Sequence, residues 1–272
     1  MLVSGLSKTQ NSLCGMNNSP IGIFDSGLGG LSVWAAIRKR LPAESLIYYG
    51  DGKNCPYGRK SAEQITEYAI EAVERLLEKE AKLVVVACNT ATGAAVRTLR
   101  ERYPSIPIVG MEPAVKPAAL ATRTGVIGIL ATQRSLDSDH YRHTSACYAS
   151  GVEIVQSEGE GFVELVESGQ CDTEHAFRTV ERVVGPMLER GVDQIVLGCT
   201  HYPFLKDVIQ RVIGERDVKI IDPSPAIAAR VEQLLVQRDL LCDGCCAADY
   251  EFISAATDDY VAKLREFAYR IG

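Results

Sequence analysis

The sequence predicts an α/β protein: two pseudo-symmetric α/β lobes on mainly parallel sheets, with a site in the cleft between them. Three observations carry that expectation. Short apolar runs rich in Val and Ile alternate with amphipathic, helix-period stretches, and such alternation implies parallel strands joined by right-handed crossovers. Two of the runs end alike, Leu83-Val84-Val85-Val86-Ala87-Cys88-Asn89-Thr90 and Ile195-Val196-Leu197-Gly198-Cys199-Thr200-His201, which suggests two similar halves. The chain has 272 residues, 46% hydrophobic and 24% charged, enough for two ordinary domains with a sizeable core.

Residues 1–19 are polar and lack a continuous apolar stretch, so they read as a flexible leader rather than a signal peptide. A first strand at 20–24 leads into Asp25-Ser26-Gly27-Leu28-Gly29-Gly30. Glycines there permit a tight turn, and N–H groups at the following helix start attract carboxylate or phosphate. The spacing differs from the dinucleotide-binding pattern. An ordinary βα turn would look similar, but a carboxylate at a strand end, Asp25, suggests a cap or a participant in chemistry. A second strand at 45–49 precedes Asn54-Cys55-Pro56-Tyr57-Gly58, a turn whose Tyr hydroxyl and Gly backbone suit a small carboxylate. A helix over 61–80 opens with a capping box, Ser61 and Gln64.

The third strand, 83–87, ends at Cys88, and a fourth lies at 106–110. Gly110-Met111-Glu112-Pro113 then reads as a crossing point, with Pro117 close behind. Strands follow at 125–130 and 152–156, a helix at 173–190, and strands at 194–198 and 218–221. A second crossing falls at Asp222-Pro223-Ser224-Pro225, and a last strand at 250–254. The lobes expected are therefore 20–112 plus 225–272, and 113–224.

The net charge of −6 and pI of about 5.4 leave no basic footprint for nucleic acid. No run of 18 apolar residues offers a membrane span. Nine cysteines without a secretion signal argue for a reducing cytoplasm rather than a disulfide framework. Cys242-x-x-Cys245-Cys246 has no second Cys or His pair nearby, so it does not support tetrahedral zinc and reads as an exposed surface loop. No metal is expected.

A single buried Cys usually just packs. Two in matched strand-end positions point to chemistry. A thiol's reference pKa is about 8.5, and a helix N-terminus or nearby His lowers it toward a useful base. Of the histidines at 140, 143, 175 and 201, only His201 neighbours a strand-end cysteine. A cysteine-peptidase arrangement of Cys199 and His201 would leave Cys88 without a role. A redox pair would take the CxxC form. Two thiols across a cleft suit removal of a proton from one face of a carbon and its return to the other.

The blocks DSGLGGLSV (25–33), CPYG (55–58), ACNTAT (87–92), GMEPAVKPA (110–118), GILAT (128–132) and LGCTHYPFL (197–205) together resemble the glutamate racemase family, in the family's order and over about 20–225. The resemblance implies a cofactor-independent isomerase that interconverts L- and D-glutamate by a two-base mechanism and supplies D-glutamate for peptidoglycan. It implies that Cys88 takes the α-proton of D-glutamate and Cys199 that of L-glutamate, with Asp25 assisting Cys88 and His201 assisting Cys199. Asp25, Ser26, Tyr57, Gly58, Asn89, Thr90, Thr132, Thr200 and His201 would hold the substrate. Glu167 matches an auxiliary acid, with Glu164 the alternative because Gly159-Glu160-Gly161 replaces the Cys-Pro usual before this segment. The resemblance further implies a cytoplasmic homodimer, and a peptidoglycan-precursor activator in some relatives with such an N-terminal extension. A racemase for aspartate or another amino acid, and a binding protein that has lost activity, are the competing readings.

Overall fold

In a computed structural model that describes residues 18–244 and 247–271, each expected apolar run forms a strand. The chain begins β1 (Ile21–Asp25), α1 (Leu31–Arg40), β2 (Leu46–Gly50), α2 (Ala62–Glu78), β3 (Leu83–Val86), α3 (Asn89–Arg102), β4 (Ile108–Gly110). It continues α4 (Val115–Ala121), β5 (Val126–Ala131), α5 (Gln133–Leu136), α6 (Asp139–Tyr148), β6 (Glu153–Glu158), α7 (Phe162–Glu167), α8 (Glu174–Glu189), β7 (Gln194–Leu197), α9 (Lys206–Ile213), β8 (Lys219–Ile221). It ends α10 (Ser224–Gln237), β9 (Tyr250–Ile253), α11 (Asp258–Ile271). The leader expected at 1–19 lies, apart from Asn18 and Ser19, outside the described residues.

The strands form two parallel sheets, ordered β4-β3-β1-β2-β9 and β6-β5-β7-β8. Numbered within each half, both contain the order 2-1-3-4, with β9 added beside β2. In such sheets successive crossovers diverge between the first and third strands, and ligands collect beyond the carboxyl ends there. The first strands are β1 and β5; the third are β3 and β7, which lead to Cys88 and Cys199. The internal likeness in sequence is thus a likeness of topology.

The local choices follow from burial. Leu83, Val84, Val85 and Val86 are all fully buried, because helices cover both faces of a parallel sheet; the run is therefore continuously apolar instead of alternating. The helix start at Ser61 carries the expected reciprocal bonds with Gln64. In α8 the residues Ala176, Val180, Val183, Val184 and Met187 form one buried face. The chain leaves the first sheet after Gly110 and returns after Ile221, where α10 packs against α1. The largest apolar cluster is continuous between the sheets, joining Ile21 and Leu31 with Leu130 and Ile195.

The loop expected to be exposed around Cys242 is exposed at Leu241, Asp243 and Gly244, and Cys242 itself is part-buried and tied down. Its N–H donates to Glu44 Oε1 at 2.7 Å, and its thiol to Asn18 Oδ1 at 3.2 Å. Cys245 and Cys246 lie outside the described residues. The same Glu44 places Oε2 2.6 Å from Lys82 Nζ, and both side chains are only 2% exposed. This buried pair joins the α1–β2 connection to the start of β3. Removing one member of such a pair strands a desolvated charge, which costs more than the pair itself contributes. Glu44→Ala is expected to lower stability by about 3 kcal/mol, measured as the shift in a urea unfolding curve.

Candidate active site

Cys88 caps α3. Its Sγ accepts the Ala91 N–H at 3.4 Å and its S–H donates to Ser26 Oγ at 3.5 Å. Cys199, just past β7, lies with Sγ 3.8 Å from His201 Nδ1. Both thiols are buried, at 4% and 8% exposure, and both face the same cavity of about 360 Å³. Ser26, Tyr57, Gly58, Asn89, Thr90, Thr132, Thr200 and His201 share its walls. The structure thus brings together nearly every residue singled out from sequence. Asp25 and Glu167 stand behind the wall.

Asp25 is fully buried. One carboxylate oxygen accepts the Gly27 N–H and the other the Thr200 hydroxyl, each at 3.0 Å. Burial raises its pKa, an effect opposed by the charge of His201 and by these bonds. Asp25 acts on Cys88 through charge, and Thr200 and Gly27 take its hydrogen bonds.

Glu167 has the most connections. Its Oε1 lies 2.7 Å from His201 Nε2 and accepts the Leu28 N–H at 2.7 Å. Its Oε2 accepts from Tyr260 Oη at 3.3 Å, and Lys263 Nζ donates to its main-chain oxygen. Glu164, the alternative, sits on the exposed rim, 3.7 Å from Arg59. The acid in contact with His201 is therefore Glu167.

The glycine-rich turn has a spatial reason. A Cβ on Gly29 would lie 2.4 Å from His201 Nδ1, and one on Gly27 would lie 2.3 Å from Glu167 Oε1. Side chains from beyond the second sheet occupy the space a Cβ would need. The turn's N–H groups at 27 and 28 do bind anions, as the sequence suggested, but the anions are this chain's own Asp25 and Glu167.

Two side chains differ in detail from expectation. The Tyr57 hydroxyl donates to Asp51 Oδ2 at 2.6 Å, so it braces the wall rather than offering a free donor to the cavity. Cys88 was expected to gain acidity at a helix N-terminus. Burial and the charge of Asp25 outweigh the bonds from Ser26 and Ala91 and push the thiol up to about 12. On the other side the balance reverses. Burial disfavours charge on His201, but its bonds to Cys199 and Glu167 and the nearby Asp25 hold its pKa well above 6.5. Burial would raise Glu167, yet His201, the Leu28 N–H and Lys263 leave it below its usual value. The two form a partly buried imidazolium–carboxylate pair.

Thr90, Thr132 and Ser135 form a closed set of hydroxyls 2.9–3.2 Å apart. Asn89, also on the wall, has a buried amide nitrogen without a hydrogen-bond partner among the described residues. An unmet buried donor costs about 1–3 kcal/mol, so a bound acceptor would satisfy it. Sequence reasoning missed Asp51, Tyr260 and Lys263. The last two lie 93 and 96 residues from Glu167, where no local pattern marks them. Cys55 stood inside a quoted block but received no role; its thiol lies 3.9 Å from Glu167 Oε1.

Residues 22–231 match the family model for Asp/Glu/hydantoin racemases. A glutamate racemase from Pseudomonas paraeruginosa is 47% identical over 242 residues, covering 89% of this chain and 91% of the relative. The structure of Escherichia coli glutamate racemase with L-glutamate and the activator UDP-MurNAc-Ala superposes with a TM-score of 0.83 at 33% identity, covering 93% of this chain and 95% of that one. The Francisella tularensis enzyme in complex with D-glutamate gives a TM-score of 0.80 at 28% identity, covering 93% and 94%.

Two tests follow from this geometry. Glu167→Gln removes the negative charge that favours protonated His201. The His201 pKa, read from its imidazole NMR signals, is then expected to fall, so the ring loses its proton closer to neutrality. Gly29→Ala is expected to lower stability by about 1–3 kcal/mol through overpacking, and the same imidazole signals should move because the new methyl displaces the ring.

Proposed function

The chain belongs to the Asp/Glu/hydantoin racemase family, and from that premise we propose that it racemises glutamate, with Cys88 and Cys199 as the two catalytic bases. The carrying observation is that both thiols, at the ends of topologically equivalent strands, face one cavity. Their relatives' names and bound glutamates support the choice of substrate.

In this reading Cys88 removes the α-proton of D-glutamate and Cys199 that of L-glutamate. The opposite thiol returns a proton to the other face. The electron pair passes transiently into the α-carboxylate, where the Asn89 amide, the Thr90 hydroxyl and the Thr200 main-chain N–H donate hydrogen bonds to the developing charge. Burial and the charge of Asp25 keep Cys88 a thiol. The substrate ammonium, drawn toward buried Asp25, supplies the positive charge that favours its thiolate. His201, paired with Glu167, is positioned to hold and return a proton beside Cys199. Ser26, Gly58 and Thr132 complete the walls, with Tyr57 braced behind them by Asp51. Two lobes, 20–112 plus 225–272 and 113–224, hold these groups and exclude water as they close.

The enzyme is proposed to work in the cytoplasm as a homodimer, feeding D-glutamate to peptidoglycan synthesis. No helix among the described residues is long and apolar enough to cross a membrane. The activator in the Escherichia coli complex supports a peptidoglycan-precursor activator here as well.

The test is incubation of L-glutamate with the purified protein in D₂O without pyridoxal phosphate. Loss of optical rotation with deuteration at Cα is expected. Cys88→Ser and Cys199→Ser should each slow racemisation by at least about 100-fold, the low end for general acid–base groups. Unchanged L-glutamate, with and without UDP-MurNAc-Ala, would overturn the reading; deuteration of aspartate alone would reassign the substrate.

A further inference from the structure

Cys55 is a chemistry-bearing side chain beside the site that the proposed reaction leaves unused. Its Sγ lies 3.9 Å from Glu167 Oε1, which lies 2.7 Å from His201 Nε2. All three ligand atoms fall within 4.8 Å of one another. In a tetrahedral zinc site, bond lengths of about 2.3 Å to sulfur and about 2.0 Å to nitrogen and oxygen place such atoms about 3.3–3.5 Å apart. The cluster reaches that geometry if nitrogen and oxygen separate by about half an ångström and sulfur draws in, by about half an ångström toward oxygen and by up to about 1.3 Å toward nitrogen.

We propose that Cys55, Glu167 and His201 form an inhibitory site for a thiophilic divalent cation, zinc above all. One thiolate, one imidazole and one carboxylate suit zinc and not the hard cations magnesium and calcium. Three protein ligands leave a fourth position for water. Two carboxylates, those of Glu167 and Asp25, act most strongly by charge on Cys55, so a cation is electrostatically welcome. Cys55 and Glu167 are half-buried while His201 is buried, which leaves the cluster reachable from solvent. On binding, the protons of the Cys55 thiol and of His201 Nε2 pass to solvent, and the metal takes their places. The direct His201–Glu167 bond is replaced by two metal bonds, and the Nδ1 proton beside Cys199 is left on a metal-bound neutral imidazole, which releases it far less readily than an imidazolium. This loss of activity rests on the proposed racemase reading; the binding itself does not.

The experiment titrates zinc into the full-length protein in competition with a chromophoric chelator, following racemisation in parallel. One zinc per chain is expected, with activity falling in step. Cys55→Ser should keep its activity in zinc-free buffer, weaken zinc binding at least tenfold and lose the inhibition. The doubly substituted Cys88→Ser/Cys199→Ser protein should still bind zinc, and with cobalt in its place should show a thiolate-to-metal charge-transfer band. That arm is read without activity, so it stands even if the substrate assignment fails. Absence of stoichiometric zinc, undiminished binding by Cys55→Ser, or loss of zinc and of the cobalt band in the double variant would each overturn the proposal. If Cys55→Ser does not fold, the double variant decides alone.

Discussion

The site depends on two carboxylates, Asp25 fully and Glu167 partly buried, that each bond across the gap between the sheets. Glu167, on α7, accepts from Leu28 in the turn after β1 and contacts His201 after β7. Asp25, at the end of β1, accepts from Thr200 after β7. A buried carboxylate is costly unless its lone pairs are met. The partners that meet them are the groups that must be held near Cys199. The cost of desolvation is thereby converted into position: either carboxylate would be left with unmet charge if the turn and the strand end moved apart. The glycines at 27 and 29 are the complementary requirement, since a Cβ at either position would occupy the space these contacts use.

The same burial sets the protonation of the groups around the cavity. Around Cys88 desolvation and Asp25 act in the same direction and outweigh two hydrogen bonds, so the thiol keeps its proton. Around His201 desolvation is opposed by Glu167, Cys199 and Asp25 and loses, so the imidazole stays charged. The cavity thus holds its negative charge on carboxylates and its mobile protons on a thiol and an imidazole. A substrate that brings an ammonium group shifts the first balance toward thiolate. On the proposed mechanism, reactivity is a property of the complex and not of the free enzyme.

Much of this was legible in the sequence, for identifiable reasons. Leu83–Val86 reads as a buried parallel strand because nothing polar interrupts it, and Ser61 marks a helix start because its capping partner stands three residues away. The cysteines were found because a duplicated topology repeats its strand ends. What could not be read depends on distance or on competing energies. Leu28 is 139 residues from Glu167 and Tyr260 is 93, and no spacing rule joins them. Glu164 and Glu167 are alike in sequence; only the direction of α7 sends one to Arg59 at the rim and the other to His201. Nothing in the local sequence marks Asp51, six residues away, as the acceptor of the Tyr57 hydroxyl. The rise in Cys88 follows from burial, which a motif does not report.

The asymmetry of the two thiols has a limit imposed by the reaction itself. L- and D-glutamate are enantiomers, so their standard free energies are equal and kcat/KM must be the same in both directions. Cys88 is held protonated by the charge of Asp25, whereas Cys199 is in contact with an imidazolium anchored by Glu167. Unequal supports therefore cannot favour one enantiomer in kcat/KM. They act on how tightly each enantiomer is held before proton transfer, which moves kcat and KM together and leaves their ratio fixed. A pseudo-symmetric fold can consequently tolerate dissimilar neighbours at its two strand ends. Selection on the overall rate requires a transition state that both walls stabilise, and it leaves the ground states free to differ.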